Sequence, residues 1–416
     1  MKSRIKNKAY WIDKILQTTM EYGIYLLAIF LFTDKGESFR TIGLYIPPIA
    51  LIIRSYLTQK SPFDMNDPLL LSLIALCLSA IASSLISNEP LLSINEFKKT
   101  YLKVFIMFSV IKITFGKIET LKKLIILLSL LSAFFAAMTY YDYITKALTD
   151  NGRIIYNSVR QYNSILSFLL PFVPFALIST KDSVQKILWA FTLFTGITAL
   201  LLTGFRGGWV SILVSMLVWS IWSLRRKWSK AFLLILGGTL VTVTIILILL
   251  PSSHIRKNLW KGISTTGRYE WRWTAYVQIY EGSAIENKLF GKGLTREKMY
   301  ESYNIWYRQK TGHYPPKNFF RNPHSTYLSI LFKQGLSGLI FYISLISIYL
   351  ISVIRAIRKT GDLEQKAMGI AILCPFLGEY IVHALVEDLR FMPLGLILGL
   401  AGGYLNLTKR NRNNTK

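Results

Sequence analysis

Apolar stretches of membrane-crossing length recur from residue 17 to residue 406, with short charged gaps between them. A helix needs about 20 mostly apolar residues to cross the hydrocarbon core, and about 17 is the practical minimum. That ruler predicts about twelve spans, near 17–33, 40–57, 69–87, 101–116, 124–142, 163–179, 187–203, 207–224, 231–250, 337–354, 367–384 and 389–406. The fourth is the weakest, being short and carrying Lys103 and Lys112. Pro171 and Pro174 should kink the sixth. Gly395, Gly399 and Gly403 repeat every fourth residue in the last span, which puts them on one face and lets a neighbouring helix approach closely. The pattern reads as an all-α polytopic membrane protein.

Composition agrees. Of 416 residues, 52% are hydrophobic and only 17% charged, against roughly 25% charged in a soluble protein. Disorder is excluded, and a water-soluble globule is disfavoured. The basic N-terminal residues Lys2, Arg4, Lys6 and Lys8 precede an apolar stretch with no small-residue cleavage site, so a retained first span is expected rather than a signal peptide. Cys77 and Cys374 both lie inside apolar runs, which argues against a disulfide framework or a thiolate metal site.

The net charge of +27 has to be explained by orientation, by anionic partners, or by both. The gaps that should face the cytoplasm hold 25 Lys and Arg, whereas the opposite gaps hold 11 once the long loop 251–323 is set aside. Both termini are then expected in the cytoplasm, with that loop facing outward. The expected organisation is 1–250 for spans one to nine, 251–323 for a partly helical loop outside the membrane, and 324–416 for the last three spans and a cytoplasmic tail. The loop is rich in aromatics and holds 13 Lys and Arg against 5 Glu, a surface suited to anions and sugar rings. An interfacial aromatic belt touching lipid headgroups is the plainer reading.

Three outward clusters could carry chemistry. In Thr203-Gly204-Phe205-Arg206-Gly207-Gly208-Trp209 an arginine sits between two apolar runs, where it must snorkel or meet an anion. In Thr265-Thr266-Gly267-Arg268-Tyr269-Glu270-Trp271-Arg272 a capped helix start would set Arg268 and Arg272 on one face, a suitable pocket for a diphosphate or simply an amphipathic surface helix. In Arg321-Asn322-Pro323-His324-Ser325, Asn322 reads as an N-cap and Pro323 as the first helical residue, so His324 is expected in a first turn. The positive end of the dipole disfavours imidazolium there, and a neutral imidazole can accept a proton. The alternative is a structural first-turn histidine. His254, His313 and His383 lack so defined a context. Arg153, Arg160 and Asn163 precede the sixth span on the same side and could extend an anion site, as could Arg321 and Arg390.

The chain has no Gly-rich phosphate loop with Lys-Ser/Thr, no outward Asp-x-Asp or His-carboxylate set, and no G-x-S-x-G elbow. ATP hydrolysis, metal chemistry and a serine nucleophile are therefore not expected. Arginines for a leaving diphosphate plus one histidine base describe a metal-free, cofactor-free group transfer.

About twelve spans with one long loop between the ninth and tenth, Phe205-Arg206-Gly207-Gly208-Trp209, Gly267-Arg268 with Trp271, and Pro323-His324-Ser325 together resemble the O-antigen ligase family, which shares a domain with O-antigen polymerases. The resemblance implies a GT-C-like membrane glycosyltransferase of the inner membrane, with its active site in the periplasm. It implies transfer of polysaccharide from undecaprenyl diphosphate to a sugar hydroxyl of lipid A-core, with inversion at the anomeric carbon. On that pattern Arg206 and Arg268 bind the diphosphate, His324 deprotonates the acceptor, and Arg272, Arg160, Arg153 and Arg321 are further substrate-binding candidates. The partners would be those two lipids and the surrounding membrane, with no nucleic acid and no ATP. The Gly291-Lys292-Gly293-Leu294 turn also resembles a family feature and reads as architectural. An O-antigen polymerase stays open as the nearest alternative, followed by a protein O-oligosaccharyltransferase. A secondary transporter would instead gather its polar residues at mid-membrane.

Overall fold

The computed structural model describes residues 2–33, 36–59, 61–147, 162–203, 206–224, 266–315, 322–386 and 391–414. Among them there is no β-strand; helices and the turns joining them account for the whole architecture. Eleven of the twelve expected apolar runs fall on helices, and the run 231–250 lies outside the described residues. Among the described residues six helices are long and apolar enough to cross a membrane: Glu37–Thr58, Pro68–Ile86, Ile118–Thr145, Ser183–Leu202, Thr326–Lys359 and Leu363–His383. Asn163–Ser179 and Gly207–Ser223 are apolar but shorter. Two of the remaining runs are interrupted, and 231–250 lies outside the described residues. Lys98–Leu102 forms a π-helical turn ahead of Lys103–Thr114, and Leu170–Phe172 forms a 3-10 turn between Asn163–Leu169 and Val173–Ser179. That second break falls on Pro171 and Pro174, where the missing amide hydrogens forbid a continuous ladder.

Helix starts follow local chemistry. Asp67, Asp182 and Asp362 each cap a helix by accepting backbone N–H groups of its first turn. Pro68 occupies the first helical position after Asp67, where no amide hydrogen is needed. The Asp67 carboxylate also holds the ammonium of Lys112, with both side chains less than a tenth exposed. The lysine that makes the 101–116 run look weak is thus neutralised by a residue from another helix.

Packing puts the last helix, Met392–Asn414, against Lys103–Thr114. A Cβ at Gly395 would lie 2.9 Å from Met107 Cβ, one at Gly399 would lie 2.6 Å from Ile111 Cβ, and one at Gly403 would lie 2.7 Å from the Phe115 carbonyl oxygen. The small-residue face therefore works as expected, letting two backbones meet where any side chain would hold them apart.

The element that positions the candidate site is the helix Thr326–Lys359, broken at Gly335 (φ 68°, ψ −164°). The break frees carbonyls in an apolar setting, and each must find a donor. The Lys292 N–H donates to Phe332 O at 3.0 Å, the Gly293 N–H donates to Lys333 O at 3.2 Å, and the Ser83 hydroxyl also reaches Lys333 O. The turn docks this closely because Gly291 carries no side chain; a Cβ there would sit 2.2 Å from Lys333 O. Next to the break, Gln334 is fully buried and accepts from the Ser79 hydroxyl at 2.7 Å while donating to the Tyr101 hydroxyl. The Gly291-Lys292-Gly293-Leu294 turn therefore serves as a clamp on a broken helix.

Above this clamp, helices Thr266–Glu281 and Arg296–Thr311 share a separate small core of Tyr276, Ile279, Met299, Tyr303 and Trp306, closed by Phe332 of the broken helix. The loop and the bundle are joined through that phenylalanine.

Removing one partner of the buried Asp67–Lys112 pair strands the other charge. Asp67→Leu alone is expected to lower stability by about 3–5 kcal/mol, and Asp67→Leu/Lys112→Met should recover most of it. Thermal unfolding of the purified chain in detergent measures both.

Candidate active site

The π-helix Phe376–His383 is the hub that brings two of the sequence clusters together. On one side it meets the helix Arg206–Leu224. The Ser211 hydroxyl donates to Glu379 Oε1 at 3.3 Å, and a Cβ added at Gly378 would fall 2.4 Å from Ser211 Oγ. On the other side it meets Thr326–Lys359 on both sides of the break: the Tyr327 hydroxyl donates to Tyr380 O at 3.3 Å and Ile381 O at 3.4 Å, and the Tyr342 hydroxyl, beyond Gly335, donates to Tyr380 O at 3.4 Å. A π-helix leaves carbonyls without their usual i→i−4 partners, and these tyrosines supply donors.

The third cluster is tied to the second. Trp273 in Thr266–Glu281 donates its indole N–H to Pro323 O at 3.1 Å, one residue before His324. The helix that carries Arg268 in its first turn is thereby attached, at its middle, to the Pro323-His324 segment. Its helical span, Thr266–Glu281, agrees with the helix start expected at Thr265-Thr266-Gly267.

His324 is not in the first turn of its helix, which corrects the sequence expectation. The helix begins at Thr326, and the N-cap is Ser325, whose hydroxyl accepts from the Leu328 N–H at 3.5 Å. Asn322 and Pro323 precede the cap. A serine in extended conformation with its side chain folded back onto the helix outcompetes the asparagine three residues earlier. His324 has φ 50°, one of two described non-glycine residues with positive φ, the other being Gln59. That conformation costs roughly 1–2 kcal/mol in an L-residue. It is held between the Trp273–Pro323 bond and the Ser325 cap, and it leaves the imidazole partly exposed ahead of a helix N-terminus.

The arginines divide into three groups. Arg206 begins the helix Arg206–Leu224 and Arg268 lies in the first turn of Thr266–Glu281, both with side chains outside the described residues. Arg153, Arg160, Arg321 and Arg390 also fall outside them. Arg272 is described and only 7% exposed. It is turned into the aromatic core, where its charge acts on Tyr303; burial pushes that phenol up from its ordinary value and the guanidinium works in the opposite direction. Asn163 is buried and accepts from the Thr203 hydroxyl at 3.2 Å, so it joins the start of its own helix to the Thr203–Gly208 junction. A Cβ at Gly208 would sit 2.2 Å from Asn163 Oδ1. Gly208, two residues after Arg206, thus admits a neighbouring side chain.

Sequence reading passed over the buried pair His383–Glu379, in which Nδ1 lies 2.9 Å from Oε2. The signal was present as a Glu and a His four residues apart inside an apolar run. Ionisable groups at such depth are expensive and mark structural or functional sites.

These features define an all-helical protein with membrane-length apolar helices and its irregular, polar segments gathered around one π-helix. Residues 191–343 match the family model described as O-antigen ligase. The chain is also 23% identical over 410 residues to an O-antigen ligase of Salmonella typhimurium, an alignment that covers 94% of this chain and 95% of that protein. The resemblance to the O-antigen ligase family is shown, and the matched stretch includes Arg206, Arg268, Arg272, Arg321 and His324.

Two stability measurements check this geometry. His324→Gly should leave unfolding unchanged to within about 1 kcal/mol, because relief of the left-handed strain offsets the added backbone freedom. A larger loss means that the imidazole itself holds the turn. Glu379→Ala should cost about 1–3 kcal/mol by stranding the buried imidazole, with Glu379→Gln closer to the parent because its amide oxygen still accepts. Thermal melts in detergent report both.

Proposed function

We propose that the protein is an O-antigen ligase, transferring polysaccharide from undecaprenyl diphosphate to a sugar hydroxyl of lipid A-core at the periplasmic face of the inner membrane. The observation that supports this reading is the linkage of the helices that carry or adjoin the three sequence clusters, through one π-helix and one tryptophan: Ser211 to Glu379, Tyr327 to Tyr380, and Trp273 to Pro323. The family match over residues 191–343 supports the same class of chemistry.

The proposed step needs one proton acceptor and a stabilised leaving group. The acceptor O–H gives its proton to an imidazole nitrogen of His324 as the oxygen forms a bond to the anomeric carbon. The bond from that carbon to the diphosphate oxygen breaks with its electron pair, and the charge growing on the diphosphate is met by Arg206 and Arg268. Attack from the face opposite the leaving group inverts the anomeric centre. The donor's own phosphoester bond drives transfer, so neither nucleotide nor metal is required.

Purified protein supplied with lipid-linked polysaccharide, lipid A-core and a chelator, without nucleotide, should form the joined product. His324→Ala should lower turnover by about 10²–10⁴-fold while retaining donor binding. Arg206→Ala and Arg268→Ala should weaken donor binding by about 1.5–3 kcal/mol each. Strict dependence on added metal or ATP, or normal turnover in His324→Ala, refutes the mechanism. In cells, deletion separates the nearest rival: chains that accumulate on the carrier indicate a ligase, and single repeats on the core indicate a missing polymerase.

A further inference from the structure

A second concentration of positive charge lies apart from the three clusters. A cleft of about 440 Å³ opens between the start of Glu37–Thr58, the arm Pro90–Leu102, Arg296 and the first turns of Thr326–Lys359. Five cations line it, Arg40, Lys99, Lys103, Arg296 and Lys333, against one carboxylate, Glu96. Arg40 and Lys99 each have an acid nearby, Glu37 at 3.7 Å and Glu96 at 3.1 Å. Lys103, Arg296 and Lys333 have no ion-pair partner among the described residues. Arg40 and Lys99 are also close enough to Lys103 for their charges to oppose its own. Like charges brought together from four stretches of chain cost energy in the empty protein, and a bound polyanion offsets that cost.

The surroundings narrow the ligand further. The same arm carries Leu91 and Leu92, 85% and 56% exposed, about one turn ahead of Glu96, which lines the cleft. An amphiphile fits that combination, with acyl chains against the leucines and anionic head among the cations. Tyr101, Phe391 and Leu294 line the cleft beside the charges and suit the face of a sugar. A smaller cavity that includes Glu379 and Tyr380 of the π-helix shares Arg40 and Met392 with the cleft. A headgroup seated on the cations can therefore extend toward the hub of the candidate active site.

We propose that this cleft binds the phosphate groups of a phosphorylated glycolipid, and that this lipid is the acceptor, whose sugar then reaches the site where His324 stands. The identification of that lipid as the acceptor rests on the ligase reading. The assignment of donor diphosphate to Arg206 and Arg268 leaves this separate set of cations for the second substrate.

Binding is measured without donor, on the full chain in nanodiscs of uncharged lipid, with lipid A-core and its dephosphorylated form as probes. The parent protein should hold the phosphorylated probe about tenfold more tightly or better. Arg296→Gln/Lys333→Gln should lose that preference while melting like the parent, and the charge-matched control Lys310→Gln/Lys359→Gln should keep it. Retention of the preference by the cleft variant overturns the proposal. So does its disappearance in the parent when phosphatidylglycerol is added to the nanodisc, which would make the cleft a general headgroup contact. Transfer assays keep the two readings apart. Phosphate preference lost in the cleft variant, in a chain that never joins polysaccharide to lipid A-core, sinks the ligase reading and the acceptor assignment but leaves the phosphate site. Normal transfer with an unaltered preference in the variant sinks the phosphate site alone.

Discussion

Breaking a helix inside an apolar bundle exposes carbonyls that water does not reach, and the arrangement of this molecule follows from satisfying them. Each unsatisfied group at such depth costs several kcal/mol, so a break persists only where other segments are fixed to donate. At Gly335 the donors are the amides of Lys292 and Gly293 and the hydroxyl of Ser83. In the π-helix Phe376–His383 they include the hydroxyls of Tyr327 and Tyr342. The same contacts that neutralise the breaks therefore bind the loop to the bundle and the broken helix to the π-helix. Irregular backbone and inter-segment attachment are one feature.

That feature explains why the polar segments gather where they do. A continuous helix offers only side chains to its neighbours, whereas a broken one also offers backbone groups with fixed direction. His324 stands two residues before the broken helix Thr326–Lys359, and the residue before it is held by Trp273 from the loop. Its left-handed backbone is tolerated because both flanking residues are anchored, Pro323 through its carbonyl and Ser325 through its capping hydroxyl. Strain of this kind survives where the surroundings over-determine it. A histidine placed so has little freedom to drift, a property that suits the proton acceptor proposed above.

Much of the architecture was legible along the chain, and the limits have a physical origin. Apolar runs, the break at Pro171 and Pro174, and the close face of Gly395, Gly399 and Gly403 are local properties that the chain carries wherever it folds. What escaped depends on partners distant in sequence. Lys112 looked unfavourable until Asp67 neutralised it from 45 residues away. Nothing near Gly335 announces a break, because the residues that make it affordable are 83, 292 and 293. The Glu379–His383 pair was overlooked since apolar neighbours hid a spacing that only a helix turns into a contact. The helix start was misplaced by three residues because two good capping residues, Asn322 and Ser325, compete, and tertiary anchoring at Pro323 decides between them.

Charge follows the same logic on a larger scale. On the proposed ligase reading, two anionic lipids meet at one reacting bond and repel each other, by about 4 kcal/mol for unit charges 4 Å apart at an effective dielectric of 20. A single pool of cations would relieve that repulsion but would not decide which lipid occupies which place. Separate sets do both. Arg206 and Arg268 belong to helices tied to the π-helix hub or the His324 segment, whereas Arg40, Lys99, Lys103, Arg296 and Lys333 line a cleft that reaches the hub only through Arg40 and Met392. The guanidinium fork favours bidentate contact with a diphosphate, and lysine's compact ammonium accepts any phosphate that comes near. On the proposed reading, an arginine pair for the donor and a mixed lysine and arginine set for the acceptor sort two phosphorylated substrates by position, and seven of the chain's cations are used to order them.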